Sequence, residues 1–385
     1  MAIPTHPVSE VAGVFLRLGV TAFGGPVAHI AAMEDECVVR RGWISRSEFA
    51  DLLSAANVIP GPNSTELAIH LGYVRAGWRG LLAAGMAFIL PSTAIVWVLA
   101  MAYARFGQRP EIAALLRGMQ PVVLAVVVQA VWRLLRSTMR TPLLICVAVA
   151  SAVAVLAGVH ELVVLVGAAT IGAVAWRGSR VDHVAAGAVL MAPRPGTLST
   201  LFAGVALGSA TVSASSLFLA FLKIGSTIFG SGYVLLAMLR GEFVQRHAWL
   251  TETQLLDAIA IGQVTPGPVF SSATFIGYLL AGHAGAAGAT LGIFLPAFLF
   301  VAVSGPLLRQ MRAHPRASAA LDAVNAASIA LMVAVVALLA KPVATSALSV
   351  GIFLVSMLVL LRTSIGASWM LLAGALCGII QAWVH

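Results

Sequence analysis

Two basic residues stand where a charge is costly. Arg17 in Phe15-Leu16-Arg17-Leu18-Gly19 and Lys223 in Phe221-Leu222-Lys223-Ile224-Gly225 each interrupt an apolar run. A cation facing lipid at the centre of a bilayer costs roughly 2.5–3.5 kcal/mol or more. Either both snorkel to an interface, or both face a polar hollow and attract an anion. Each precedes a glycine-rich stretch, Phe23-Gly24-Gly25-Pro26 or Phe229-Gly230-Ser231-Gly232, and a glycine inside a helix costs about 1 kcal/mol relative to alanine. Those glycines serve close helix packing, or they mark an unwound turn whose amides face an oxyanion.

A second group surrounds two Pro-Gly-Pro triplets, Pro60-Gly61-Pro62 and Pro266-Gly267-Pro268. Proline lacks the amide donor and clashes with the preceding turn, so a helix breaks there. Asn63-Ser64-Thr65-Glu66 follows the first triplet and reads as a helix start. Glu66 there either closes a capping box with Asn63 or titrates in a translocation path, with His70 one turn later on the same face. The second triplet is followed by Val269-Phe270-Ser271-Ser272, without carboxylate or imidazole, so the two half-sites are not equivalent. Both still offer a helix N-terminus, whose partial positive charge favours an anion. Asp51 and Asp257, about nine residues before the triplets, are candidate proton carriers or structural partners of an arginine. Glu34, Asp35, Glu36, Arg40, Arg41 and Arg46, with Glu242 and Arg246, read as a solvated connecting helix.

These residues are positioned by a duplication. Between 15–63 and 221–269, 16 of 49 positions are identical at a spacing of 206, well above the roughly one in ten expected by chance. One residue is then lost, and Gly72-Tyr73, Ala76-Gly77 and Leu90-Pro91 match Gly277-Tyr278, Ala281-Gly282 and Leu295-Pro296. The expected organisation is a first repeat over 1–180, a linker over 181–212 and a second repeat over 213–385. The chain is 60% hydrophobic and 10% charged, with mean hydropathy +0.98, which leaves too little polar surface for a soluble globule. Apolar runs long enough to cross a core of about 30 Å recur, at 8–33, 47–75, 80–104, 117–136, 141–158 and 160–177 in the first half, and Val122–Val131 and Leu143–Leu156 are apolar on every side, as helices and not strands would be.

The expected fold is an all-α polytopic membrane protein: about ten spanning helices plus two Pro-Gly-Pro segments that are broken or re-entrant. If those segments re-enter, each half crosses an odd number of times, and the halves form an inverted repeat. The net charge of +9 reflects arginines at segment ends, which set orientation by the positive-inside tendency, not nucleic-acid binding. That tendency favours an orientation with Arg40, Arg41, Arg46, Arg75, Arg133, Arg136 and Arg362 inside and the bare His160-Glu161 turn outside, although Arg105, Arg109, Arg117, Arg240, Arg246 and Lys341 then also lie outside. Cys37, Cys146 and Cys377 match no metal or redox spacing. The N-terminus lacks the basic region of a cleavable signal, so the first apolar segment is expected to stay.

The Phe-Leu-Arg-Leu-Gly run, Phe23-Gly24-Gly25-Pro26-Val27-Ala28-His29-Ile30, Arg40-Arg41-Gly42-Trp43 and Pro60-Gly61-Pro62, with their second-half counterparts, resemble the chromate ion transporter family in its long two-domain form. The resemblance implies an antiporter exporting chromate, or the similar dianion sulfate, across the bacterial inner membrane at the expense of the proton motive force. The chain departs from the family pattern at Asn63-Ser64-Thr65-Glu66, where small residues and a glutamine are common. An added carboxylate near a dianion either repels it or couples it to a proton. The expected substrate-binding set is Arg17, Lys223, Phe23, Gly24, Gly25, Gly230, Ser231, Asn63, Ser64 and Ser271, with Glu66, His70, Asp51 and Asp257 for protons. An oxyanion channel without proton coupling is the alternative. No nucleophile–base pair, metal cluster or phosphate loop is legible, so no enzyme activity, cofactor or metal is expected, and homodimer formation is left open.

Overall fold

A computed structural model describes residues 7–56, 59–175, 212–228, 234–313, 315–344, 346–363 and 365–384. The expected linker 181–212 lies outside these, apart from Val212. Among the described residues there is no strand. Helices α1 (Pro7–Thr21), α2 (Gly25–Glu34), α3 (Arg46–Ala56), α4 (Asn63–Phe106), α5 (Pro110–Thr138), α6 (Pro142–Leu156) and α7 (Glu161–Ala175) make the first half. Helices α8 (Ala214–Thr227), α9 (Val234–Leu239), α10 (Glu252–Val264), α11 (Ser272–Ala313), α12 (Pro315–Val343), α13 (Ala347–Arg362) and α14 (Ala367–Val384) repeat the pattern. π-helical turns, Asp35–Arg40 and Arg240–Arg246, extend α2 and α9.

The first apolar segment, expected to cross as one run over 8–33, instead breaks at Phe23-Gly24, and the chain turns back. Gly24 takes φ 103, open to a residue without Cβ. Arg17 then meets Glu36, and Arg41 and Trp43 reach Glu10 at 3.0 and 3.3 Å. A continuous helix would hold such pairs tens of ångströms apart at 1.5 Å per residue. The Pro-Gly-Pro segment also turns back. It starts at α3, a few residues after Trp43, and its outgoing arm returns Arg75 to Glu10 at 2.8 Å.

A sharp reversal at Ala76-Gly77 divides α4 into a short arm, 63–75, and a long arm, 78–106. Gly77 sits at φ 60, ψ −148, and Gly72 and Gly80 pack backbone to backbone across the bend. Ala281-Gly282, with φ 59 at the glycine, and the Gly277–Gly285 contact repeat this in α11. Capping boxes open both α3 and α10. Ser45 and Glu48 exchange bonds at 2.8 and 3.2 Å, and Thr251 and Gln254 at 3.0 and 3.1 Å. Bonds from the Ser45 amide and hydroxyl hold the exposed Glu48 carboxyl below its ordinary range.

The halves interlock. Their long arms run in opposite directions: Phe298 of α11 covers Gly85 of α4, while Trp97, further along α4, donates to His283 nearer the start of α11 at 3.1 Å. Helix α5 packs on α13 and α14, and α12 on α6 and α7. Gly118 meets Gly374 and Gly378, and Gly172 meets Ala319, the small-residue contacts that let membrane helices approach closely. Four described helices are long and apolar enough to span: α4, α5, α11 and α12. Five more, α6, α7, α8, α13 and α14, are apolar but shorter. This is an all-α membrane protein.

Candidate substrate site where the broken helices meet

Each Pro-Gly-Pro tip docks on the broken end of the other half's first helix. The Gly61 amide donates to the Ile228 carbonyl at 2.8 Å, and the Gly267 amide donates to the Ala22 carbonyl at 3.0 Å. The prolines offer no amide, so the central glycine makes the bond, and its backbone, φ 145 at Gly61 and 84 at Gly267, is one that L side chains avoid. Ala22 and Ile228 are equivalent positions, so the exchange is reciprocal. Ser92 and Ala297 are equivalent too. Ser92 donates to Ser271 at 2.8 Å, whereas Ala297 lies over Gly61 with a methyl group.

Between the tips is a small cavity lined by Pro26, Pro62, Asn63, Ser64, Gln263, Pro268 and Phe270. Its volume of about 10 Å³ holds one water and no tetrahedral oxyanion, so the cavity must widen before a substrate can enter it. Two helix starts without side-chain caps point to it: α2 after Gly24 and α4 after Pro62. A short 3₁₀ turn, Val269–Ser271, follows Pro268 on the opposite wall. Such starts carry partial positive charge. His29 ties them together, with Nε2 3.2 Å from the Ala22 carbonyl and Nδ1 3.4 Å from Ser64 Oγ.

Glu66 does not close a capping box. Pro62 is the N-cap and no side chain caps the helix. Glu66 is fully buried, its carboxylate lies against Gly61, and neither oxygen has a hydrogen-bond partner among the described residues. His70, one turn along, is buried with Nε2 also unpartnered.

The expected convergence of Arg17 and Lys223 on this cavity is corrected by their contacts. Arg17 pairs with Glu36, which also accepts from Arg41 at 2.8 Å. Lys223 pairs at 2.8 Å with Glu242, which also accepts from Arg246. Each cation stays with a carboxylate of its own half, because the hairpin brings back a glutamate 19 residues on. Arg17 lines a separate surface groove of about 310 Å³ with Ser9, Glu10 and Arg41. Glu36 and Glu242 are buried, not members of a solvated connecting helix.

The two aspartates part company. Asp51 is exposed. Asp257 is buried and accepts from the Tyr103 hydroxyl at 2.9 Å and Gln120 at 3.0 Å, with no arginine in the contact. Of the glycine-rich turns, Phe23 is half exposed, Gly24 and Gly25 form the turn itself, and Gly230 and Ser231 lie outside the described residues. Asn63 and Ser64 line the cavity. Sequence reasoning missed His29, Gln263, Ser92, Tyr103 and Gln120. The Phe-Gly-Gly-Pro-x-x-His spacing, which puts His29 one turn inside α2, was the available signal for the first.

A family model described as "Chromate transporter" matches residues 9–173 and again 215–379. A "Chromate transport protein" of Cupriavidus metallidurans is 32% identical over 97% of this chain and 92% of its own length. One from Pseudomonas aeruginosa is 32% identical over 83% and 77%, and a "Probable chromate transport protein" of Synechococcus elongatus 30% over 88% and 86%. No solved structure matches.

Proposed function

The chain belongs to the chromate transporter family, and from that premise we propose that it exports chromate, with sulfate as a competing dianion, across the bacterial inner membrane by alternating access. As a member of that family it is a transporter and not an enzyme. The observation that carries the proposal is the reciprocal docking of the tips, which places two helix starts without side-chain caps on one small cavity, while the buried Glu66 carboxyl, without a partner among the described residues, lies against Gly61, two residues along α4 from the lining residue Ser64. The halves form an inverted repeat, a reading supported by the opposed directions of α4 and α11, and a rocking motion of one half on the other then exposes the cavity to each side in turn. The side carrying Arg41 and Arg75 is cytoplasmic.

Binding is by backbone amides at the starts of α2 and α4 with Asn63 and Ser64, while Arg17 and Arg41 raise the local anion concentration at the entrance. Glu66 carries the proton, with His70 beside it. An ionised carboxylate without a partner there costs several kcal/mol, and it repels a dianion. Proton and chromate therefore bind together, and the inside-negative potential drives the net negative charge outward. The antiport implied by the family resemblance requires the reverse, that Glu66 lose its proton as the anion arrives.

Chromate uptake into inverted vesicles, with the potential clamped at zero, separates these. An acidic exterior accelerating uptake supports joint binding, and an acidic lumen accelerating it supports exchange. Currents of single-channel size without proton movement would show a channel instead.

A further inference from the structure

We propose that α3 and α10 are the two gates of this transporter. Asp257, with Tyr103 and Gln120, latches the α10 gate shut in the present structure, and Asp51 makes the matching contact with Asn325 when the α3 gate shuts. The functional meaning rests on the alternating-access reading above, whereas the motion itself is tested without any substrate.

The argument starts from a difference between equivalent elements. Every residue of α10 from Leu255 to Gln263 is buried, under α5 and α14 of the fold. In α3 only Phe49 and Ala56 are buried, and its main packing partner is α4. Its uncovered surface carries Arg46, Ser47, Glu48 and Asp51. Charged side chains do not face hydrocarbon at such density, so this surface borders water that reaches toward Pro60 and Asn63, both only partly covered. On the other side Pro266, Gly267 and Pro268 are sealed. One gate is open and its twin is shut.

What holds the shut gate is the bond set of Asp257 to Tyr103 on α4 and Gln120 on α5, elements of the opposite half. The repeat supplies the counterpart. Asp51 occupies the place of Asp257 at a spacing of 206, and Asn325 on α12 that of Gln120 at a spacing of 205. Pro110 and Pro315 open α5 and α12 at that same spacing, so the register holds along both helices. Asn325 carries the amide that Gln120 uses. Leu308 stands where Tyr103 does and has no donor, so the second latch is weaker by one bond. That inequality biases the resting protein to the state seen here, open beside α3 and shut beside α10.

Cysteine accessibility of the full chain in lipid nanodiscs tests this, with Cys37→Ala, Cys146→Ser and Cys377→Ser as background and a membrane-impermeant maleimide as probe. Ala50→Cys on α3 should react readily and Ala258→Cys on α10 slowly. Adding Tyr103→Phe with Gln120→Leu should speed labelling of Ala258→Cys by about tenfold or more, the shift expected from losing a hydrogen bond to a charged group, and slow that of Ala50→Cys. Asp257→Asn, a milder change, should move both rates in the same directions by less. Adding Asn325→Leu to the unlatched protein should restore reactivity at Ala50→Cys. Opposite changes at the two reporters support the latch, because simple loosening would raise both. Rates that rise together, or that do not move in either variant, overturn it. If the reporters alternate but vesicles move no chromate, the gates stand and the functional reading falls.

Discussion

The hairpin built from α3 and the short arm of α4 shares its turn with the hairpin built from α10 and α11, yet the two sit in opposite environments. The first leaves Asp51 uncovered and keeps the Glu66 carboxyl and the His70 Nε2 buried without partners among the described residues. The second buries Asp257 with two donors and offers only serines, Ser271 and Ser272, in the stretch where Glu66 stands. The same backbone device, a glycine amide docked on the far half's first helix, therefore accompanies a buried carboxyl without a partner among the described residues in one copy and a carboxylate held by two donors in the other. Duplication provides the frame and divergence assigns the tasks.

The comparison breaks most severely at the shared device. Gly61→Ala and Gly267→Ala each force a side chain into a backbone region costing roughly 1–3 kcal/mol, against Glu66 in one case and Ser92 in the other. Chromate uptake should fall more than about tenfold in both, and near-normal uptake in either would show that its tip is not held as described. Glu66→Gln comes next: uptake should persist but lose its response to the pH gradient, while Ser272→Ala, in the matching stretch of the second half, should keep it. A retained response in Glu66→Gln would move the proton elsewhere.

Stability gives the third contrast. Asp257→Ala strands the Tyr103 hydroxyl and the Gln120 amide, at about 1–3 kcal/mol for each buried group left unsatisfied, whereas Asp51→Ala removes an exposed side chain and should change little, within about 0.5 kcal/mol. Thermal unfolding in detergent would read this, and equal losses would erase the asymmetry. The smallest effect is expected at the cations. Arg17→Gln leaves Glu36 with Arg41, and Lys223→Gln leaves Glu242 with Arg246, so the apparent affinity for chromate should weaken by no more than about threefold, the scale of a partly exposed ion pair. A loss of a hundredfold in either would put that cation at the substrate.

Much of this was legible beforehand, and the misses share a cause. Asn63, Ser64 and Glu66 stand out in the sequence because they follow a proline break that marks its own position, and Asn63 and Ser64 line the cavity. Arg17 and Lys223 were rightly singled out as costly, but their partners Glu36 and Glu242 were read as solvated, since helical continuity through Gly24 would have carried them far from Arg17 and Lys223. Asp257 looked like a twin of Asp51, and nothing local told that Tyr103 and Gln120, over a hundred residues away, would reach one and not the other.

Sequence alone determined the membrane environment, the duplication and the breaks at the two Pro-Gly-Pro triplets, because these follow from composition and from prolines acting on their immediate neighbours. The tertiary structure decided which charge meets which, that the tips cross between halves, and that one hairpin is packed while its twin stands open. Those outcomes depend on chain reversals at Gly24, Gly77 and Gly282, and a reversal turns a fixed spacing along the chain into a contact that only the folded arrangement defines.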